Sequence, residues 1–213
     1  MYKVTVGICC YKQKEWLYRC LRSLSSQTMS KDLFEVVVVN DDPEQDLSDI
    51  CSQVEDSLNI KLINNENNLG LPVSLNKILK CARGRYFVRV DSDDYVSKHF
   101  LYMLSSYLEV SKGEKQAVAC DYKKVDDCGL PLQRYSFKEN PVACGIMFTY
   151  ESLCNIGYYN EEWKMREGHE LLKRFTTKYE VGYLDIPLYR YRMHLSNRSS
   201  TEQIKEYDKK LNG

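Results

Sequence analysis

Short β-rich runs alternate with amphipathic segments along roughly the first 95 residues of the chain. The clearest run is Phe34–Val39, which contains four consecutive valines and is typical of a strand buried on both faces of a parallel sheet. Between the runs, apolar residues recur at helical spacing. The predicted strands are 4–9, 34–39, 60–63 and 86–90, and the predicted helices are 15–26, 46–58 and 74–83. This alternation predicts an α/β protein with a mostly parallel central sheet and helices on both faces.

The second half of the chain is less regular, but it contains no repeat, low-complexity tract or linker. The predicted helices are 100–110 and 167–176, the predicted strands are 117–122, 145–148 and 183–191, and a polar helix is predicted within 199–213. We therefore expect residues 1–213 to form a single domain.

The charge and hydrophobicity of the chain argue against several classes of protein. Thirty lysines and arginines balance thirty aspartates and glutamates, whereas a nucleic-acid-binding protein normally carries a basic excess. No apolar run approaches the roughly 18–20 residues that span a bilayer, and the first residues lack the pattern of a secretory signal. Nine cysteines without a CxxC pair indicate reduced thiols. We expect a cytoplasmic protein without a transmembrane segment and without a nucleic-acid partner.

Acidic residues follow two of the predicted strands. Asn40-Asp41-Asp42 comes directly after the second strand, and Asp91-Ser92-Asp93-Asp94 follows the fourth. The carboxyl ends of parallel strands lie along one edge of a sheet, where ligands of such proteins bind. Carboxylates are suitable ligands for magnesium or manganese, which can bridge the phosphates of a substrate. Taken alone, an Asp-x-Asp triplet is more often a turn or a helix cap, so its position after a strand carries the argument.

Four blocks of the chain, in order, resemble family 2 glycosyltransferases of the GT-A fold, from Val4 to about Ser200. The blocks are Val4–Lys12 with Leu21–Thr28, Val36–Asp42, Asn67–Asn76 with Ala82–Tyr86 ahead of Asp91, and Arg166–Phe175. Together they are far more specific than any one of them. The resemblance implies a Rossmann-like, mostly parallel sheet with helices on both faces and a smaller acceptor-side part. It also divides the domain into a nucleotide-binding half at 1–98, an acceptor-binding half at 99–200 and a polar tail at 201–213.

The activity implied by the resemblance is a metal-dependent, inverting transfer of a sugar from a nucleotide-sugar, above all a UDP-sugar, to a hydroxyl of a glycan or glycolipid. The implied nucleotide-binding residues are Cys10, Tyr11, Asp41, Asn76, Asp91 and Ser92. Asp93 is expected to bind Mn²⁺ or Mg²⁺ together with His194, which lies in a late Tyr-Arg-x-His segment. Arg192 of that segment could contact the diphosphate. Acceptors of this kind often lie at a membrane, so a peripheral contact with its inner face is compatible with the prediction.

The chain departs from the family pattern on the acceptor side, where Gly168 replaces the aspartate that commonly acts as the base. Glu167 is the nearest remaining carboxylate and is the candidate catalytic base. His169 and Glu170 are the other acceptor-side candidates. Glu167 could instead be a charge that stabilises a helix N-terminus, so a protein that binds nucleotide or glycan without transfer is a second hypothesis. A sugar-1-phosphate nucleotidylyltransferase is a third, but the loop at 9–14 lacks the glycines of a phosphate-binding loop.

Overall fold

The computed structural model of the chain describes residues 2–194 and 204–212. Within these ranges the strands are β1 (Tyr2–Cys10), β2 (Phe34–Asn40), β3 (Ile60–Asn64), β4 (Gly84–Arg89), β5 (Tyr95–Val96), β6 (Ala117–Val125), β7 (Pro131–Tyr135), β8 (Met147–Thr149) and β9 (Val181–Arg192). The helices are α1 (Lys14–Ser25), α2 (Ser48–Ser52), α3 (Leu71–Cys81), α4 (Phe100–Val110), α5 (Tyr150–Ile156), α6 (Glu167–Thr176) and α7 (Ile204–Asn212), with a 3-10 turn at Lys31–Leu33.

The strands form one sheet in the order β3-β2-β1-β4-β8-β6-β9-β5, and β7 pairs with β6 outside this path. The first four strands of that order are mutually parallel. β8 runs antiparallel to β4 and to β6, while β6 and β9 are parallel to each other. The sheet is therefore a parallel half joined by one antiparallel strand to a mixed half, which confirms the predicted α/β architecture.

Helices cover both faces of the sheet, as predicted. On one face α1 and α4 share a core with the inward residues of β1, β2, β4 and β6, and the apolar side of α1 buries Leu17, Cys20, Leu21 and Leu24. On the other face α3, α5 and α6 pack on the alternate residues of β2 and β4. Strand β2 is buried along its whole length because it has helices above and below.

The second predicted helix is much shorter than expected. We predicted a helix over residues 46–58, whereas α2 has five residues and is followed by irregular turns. Leu47, Cys51, Val54 and Leu58 are nevertheless all buried. Turn hydrogen bonds at Val54 and Leu58 bring these side chains to the core without a continuous helix, so helical spacing alone overestimated the helix.

The third helix begins earlier than predicted. We placed its start at residue 74, whereas α3 begins at Leu71. Gly70 has a φ of 87°, a conformation that favours glycine, and Pro72 lies in the first turn of the helix. These two residues direct the chain from a loop at the sheet edge into the helix.

The described helices are short, and none of them is long and apolar enough to cross a membrane. The longest, α1, has 12 residues. All nine cysteines are free thiols in the structure.

Candidate active site

A cleft of about 810 Å³ opens at the carboxyl ends of β1, β2 and β4, a volume in the usual range for small-molecule sites. Its lining includes Tyr11, Asp41, Asp91, Asp93, Glu167 and His169. The first four of these belong to the predicted nucleotide and metal sites, and the last two belong to the predicted acceptor side. The structure thus brings six of the candidate residues to one cleft.

Asp41 lies directly after β2 and holds the loop that precedes α3. Its Oδ1 atom accepts hydrogen bonds from Asn65 Nδ2 at 2.7 Å and from the Leu69 amide at 2.9 Å, while Oδ2 accepts one from the Gly70 amide at 2.9 Å. The side chain is 3% exposed. Asp41 therefore fixes one wall of the cleft and still lines it.

Asp91 is bound to an arginine at the end of β4. Arg89 Nε lies 2.5 Å from Asp91 Oδ1, and Arg89 NH2 lies 3.1 Å from Asp91 Oδ2. The third guanidinium nitrogen, NH1, donates to Glu167 Oε1 at 2.8 Å. Burial acts to lower the pKa of Arg89, but Asp91 and Glu167 outweigh it and hold that pKa well above its ordinary value.

Asp93 contacts two side chains from opposite ends of the chain. Its Oδ2 atom lies 2.9 Å from His194 Nε2 and 3.0 Å from Gln13 Nε2. The imidazole of His194 packs on the indole of Trp16, with ring centroids 4.2 Å apart. His194 does not itself line the cleft, but it is hydrogen-bonded to Asp93, which does.

The turn that carries Asp93 is held by the end of β9. The Arg192 amide donates to Asp94 Oδ1 at 2.7 Å, and Arg192 Nε donates to the Asp93 carbonyl at 2.7 Å. The Arg192 side chain is also bonded to the carbonyls of Asp126 and Asp127, and the residue is 1% exposed. Arg192, which we considered as a diphosphate contact, is therefore a buried brace of the Asp93–Asp94 turn.

Glu167 is the first residue of α6 and points inward. The preceding residue, Arg166, has a φ of 58°, in the left-handed region, and the turn there leaves Glu167 only 5% exposed. At the next position, a Cβ atom on Gly168 would lie 2.4 Å from the Cβ of Ala143. The local packing thus accepts a glycine at 168 and not the aspartate of the family pattern.

The two other acceptor-side candidates have different surroundings. His169 lines the cleft, and burial followed by the charge of Arg166 lowers the pKa of its imidazole. Glu170 is bound to Arg174 one turn along α6, through Arg174 Nε and NH2, and is not among the lining residues of the cleft.

Three predicted nucleotide-binding residues lie behind the cleft wall instead of on it. Cys10 is 1% exposed, and its carbonyl accepts the Asp41 amide at 2.8 Å. Ser92 donates to Gln13 Oε1 at 2.5 Å. Asn76 holds the loop that follows α5, because its amide nitrogen donates to the Tyr159 carbonyl and its oxygen accepts the Tyr159 amide. The backbone of Cys10 supports Asp41 and the side chain of Ser92 supports Gln13, both of which line the cleft, whereas Asn76 holds a neighbouring loop.

Two groupings of side chains could bind a divalent cation. Asp93 and His194 offer a carboxylate oxygen and an imidazole nitrogen 2.9 Å apart, a donor set that suits Mn²⁺ or Mg²⁺. Asp91, Asp94 and Cys144 also have ligand atoms within 4.8 Å of one another. The thiol of Cys144 is a soft ligand, so this group is a poor site for a hard cation. The structure fits the predicted pair better.

Arg89 and Gln13 line the cleft and bond to predicted site residues, but neither was a sequence-based candidate. Arg89 is the one charged residue in the predicted strand 86–90 and is 7% exposed, and a lone charge in such an apolar run is the signal that could have identified it. Gln13 bonds both Asp93 and Ser92. No pattern in the sequence around Gln13 distinguishes it from an ordinary polar residue before a helix.

Comparison with known proteins identifies a family for the chain. The model of glycosyl transferase family 2 matches residues 5–204. EpsH of Bacillus subtilis, named as a glycosyltransferase, is 26% identical over 98% of this chain and 64% of its own length. The β-1,3-glucosyltransferase WfaP of Escherichia coli, named for UDP-glucose and a GlcNAc-diphosphoundecaprenol acceptor, is 35% identical over 43% of this chain and 36% of its own.

The fold also matches solved structures. The crystal structure of Staphylococcus aureus TarS 1–349 with UDP-GlcNAc superposes with a TM-score of 0.81, at 24% identity, over 98% of this chain and 65% of that one. The chain thus spans less than two thirds of the length of these relatives. A family match that covers nearly the whole sequence, on the same fold, settles the classification. The chain belongs to glycosyl transferase family 2.

Proposed function

We propose that this chain transfers a sugar, with inversion, from a nucleotide-sugar to a hydroxyl of a glycan or lipid-linked glycan. The observation that carries the proposal is the meeting of Asp41, Asp91 and Asp93 with Glu167 in one cleft. The three aspartates come from two strand ends of the parallel half, and Glu167 comes from α6 in the other half. Donor-side and acceptor-side groups therefore face the same space.

The donor is a UDP-sugar, bound at the strand ends. Asp41 and Tyr11 line the part of the cleft next to β1 and β2 and would contact the nucleoside. The UDP-GlcNAc bound in the similar TarS structure supports this class of donor. The similar WfaP, named for UDP-glucose and a diphosphoundecaprenol-linked acceptor, supports a UDP-sugar and a lipid-linked acceptor.

Asp93 and His194 would hold a divalent cation, Mn²⁺ or Mg²⁺. When bound, such a cation offsets the negative charge of a diphosphate leaving group. Asp41, Asp91, Asp93 and Glu167 all line the cleft, and several lysines and arginines line it as well. The aspartates at the two strand ends lie where a diphosphate would bind, and their negative charge supports a cation requirement for donor binding.

In the transfer step, the acceptor oxygen forms a bond to C1 of the sugar while the bond from C1 to the phosphate oxygen breaks. The electron pair of that bond leaves with UDP, and the acceptor proton passes to Glu167. Attack from the side opposite the leaving group inverts the configuration at C1. Glu167 is the candidate base because position 168 has no side chain and Glu170 is bound to Arg174 outside the cleft. A base of this kind contributes about 10²–10⁴-fold to the rate.

The proposal is tested by measuring UDP binding and sugar transfer separately. Calorimetry should detect UDP binding that requires MnCl₂ and disappears with EDTA. Release of UDP from UDP-GlcNAc, UDP-glucose and UDP-galactose should exceed the background rate, and one donor should be preferred. Binding without release from any donor, with or without glycan acceptors, would instead favour a protein that binds nucleotide without transfer. That alternative draws support from Gly168 and from the ion pair of Glu167 with Arg89.

A further inference from the structure

One guanidinium joins the two halves of the cleft. Arg89 holds both oxygens of Asp91 through Nε and NH2, at 2.5 and 3.1 Å, and one oxygen of Glu167 through NH1 at 2.8 Å. Asp91 belongs to the turn after β4, and Glu167 begins α6. All three guanidinium nitrogens are therefore used, in a planar arrangement that only arginine can supply.

This ion-pair cluster is buried at the cleft wall. The side chains of Arg89 and Glu167 are 8% and 6% exposed, and that of Asp91 is 25% exposed. Two carboxylates this close would repel each other without the cation between them, and a buried charge without a partner is strongly destabilising. The conformation of Glu167 is thus tied to the presence and direction of the Arg89 side chain.

Packing leaves no other acceptor-side carboxylate at this part of α6. A Cβ at position 168 would collide with Ala143 at 2.4 Å, and Glu170 is bound to Arg174. Glu167 Oε1 accepts the Arg89 bond, so Oε2 is the oxygen that remains for the proton of an acceptor hydroxyl.

We infer that Arg89 is a positioning residue for the transfer reaction, which directs Glu167 Oε2 toward the acceptor and couples it to Asp91 on the donor side. The inference rests on the proposed function, since it assigns to Glu167 the role of base. Arg89 acts through Glu167 and touches neither substrate in this scheme. Its effect should therefore appear in kcat and should depend on the carboxylate of Glu167.

A double-mutant cycle in the whole protein tests this dependence. Arg89→Lys keeps the charge but cannot hold both oxygens of Asp91 and one oxygen of Glu167 from three separate nitrogens, and it should lower kcat for UDP release about 10- to 100-fold, with UDP affinity within about threefold of wild type. In a Glu167→Gln background, the same substitution should lower kcat less than about threefold further, because residues that act as a unit are not additive. The donor is whichever UDP-sugar of the panel is turned over fastest. Arg89→Gln is the second variant if Arg89→Lys fails to fold.

Arg83→Lys is the matched control. Arg83 pairs with the buried Glu35, with Nε 2.8 Å from Oε2, in a site outside the cleft. Its kcat should equal that of wild type. Equal losses from Arg89→Lys in both backgrounds, or a loss of UDP affinity that accounts for the whole effect, would overturn the inference while leaving transfer intact. A wild-type protein that releases UDP from none of the donors would overturn the proposed function, and this inference with it.

Discussion

His194 Nε2 lies 2.9 Å from Asp93 Oδ2, although the two residues are 101 positions apart in the chain. The contact joins the turn after β4 to the end of β9, and Trp16 of α1 packs on the imidazole. Three separate parts of the sequence therefore fix one pair of potential metal ligands.

The first prediction concerns the role of Asp93 and His194 in metal-dependent nucleotide binding. His194→Ala and Asp93→Asn should each weaken UDP binding in MnCl₂ by at least about tenfold, because each removes a ligand or its partner. Calorimetry with and without EDTA measures the effect. Asp49→Asn, an exposed aspartate on α2, is the control and should bind as wild type. Wild-type affinity in Asp93→Asn would contradict the assigned site.

A second prediction concerns the glycine that replaces the family aspartate. Gly168→Asp should lower the free energy of unfolding by about 1–3 kcal/mol, since its Cβ would lie 2.4 Å from Ala143 Cβ. Helix propensity works in the opposite direction, favouring a side chain over glycine within α6. Urea unfolding should therefore show a loss in the wild-type background and a smaller loss, or a gain, with Ala143→Gly. Equal losses in the two backgrounds would show that the contact is not the cause.

A third prediction concerns the carboxylate that holds the wall of the cleft. Asp41→Asn should lower the free energy of unfolding by about 1–3 kcal/mol. The two oxygens of Asp41 accept hydrogen bonds from the Leu69 and Gly70 amides, and in the variant an amide nitrogen would replace one of these oxygens and face an N–H group. UDP affinity should fall as well, since the loop it holds lines the cleft. Asp42→Asn is the matched neighbour, because Asp42 accepts a single backbone amide, that of Glu44. Urea unfolding and calorimetry should show the larger loss in Asp41→Asn.

A fourth prediction concerns the pH dependence of stability. Burial and Arg166 lower the pKa of His169 from its ordinary 6.5, and Arg89 also lowers it, against opposing effects of the Pro141 carbonyl and Glu167. As pH falls below 6.5, the unfolded chain binds a proton at this histidine before the folded protein does, so stability decreases. Wild type should therefore lose more stability than His169→Gln between pH 7.5 and 5.5, measured by urea unfolding. Parallel profiles would contradict the assigned environment of His169.

The parallel half of the fold could be predicted from the sequence because its segments carry strong local signals. The valine run of β2 and the helical spacing of α1 each match one element, with boundaries within a residue or two. The exposed strand β7 and the two-residue strand β5 carry no such signal. They exist because β6 and β9 offer them pairing partners, which is information that local composition does not contain.

Some residues of the candidate site could also be predicted from the sequence, and others depend on tertiary packing. The motif residues Asp41, Asp91 and Asp93 reach the cleft because strand ends place them there. Asn76 belongs to the same blocks but faces the loop after α5, because its direction depends on tertiary packing. The bridging role of Arg89 depends on the position of α6, 78 residues further along the chain. Spacing in the sequence could not reveal it.

The brace formed by Arg192 has a consequence for synthesis of the protein. The Asp93–Asp94 turn reaches its final hydrogen bonding only when the end of β9 has been made and has paired with β5. The parallel strands β1–β4 can pair earlier, as the chain leaves the ribosome from its N-terminus. A nascent or prematurely terminated chain would therefore have the edge of the parallel sheet but lack the bonds that hold the Asp93–Asp94 turn. Translation must continue to the end of β9 before this turn at the cleft is held in place.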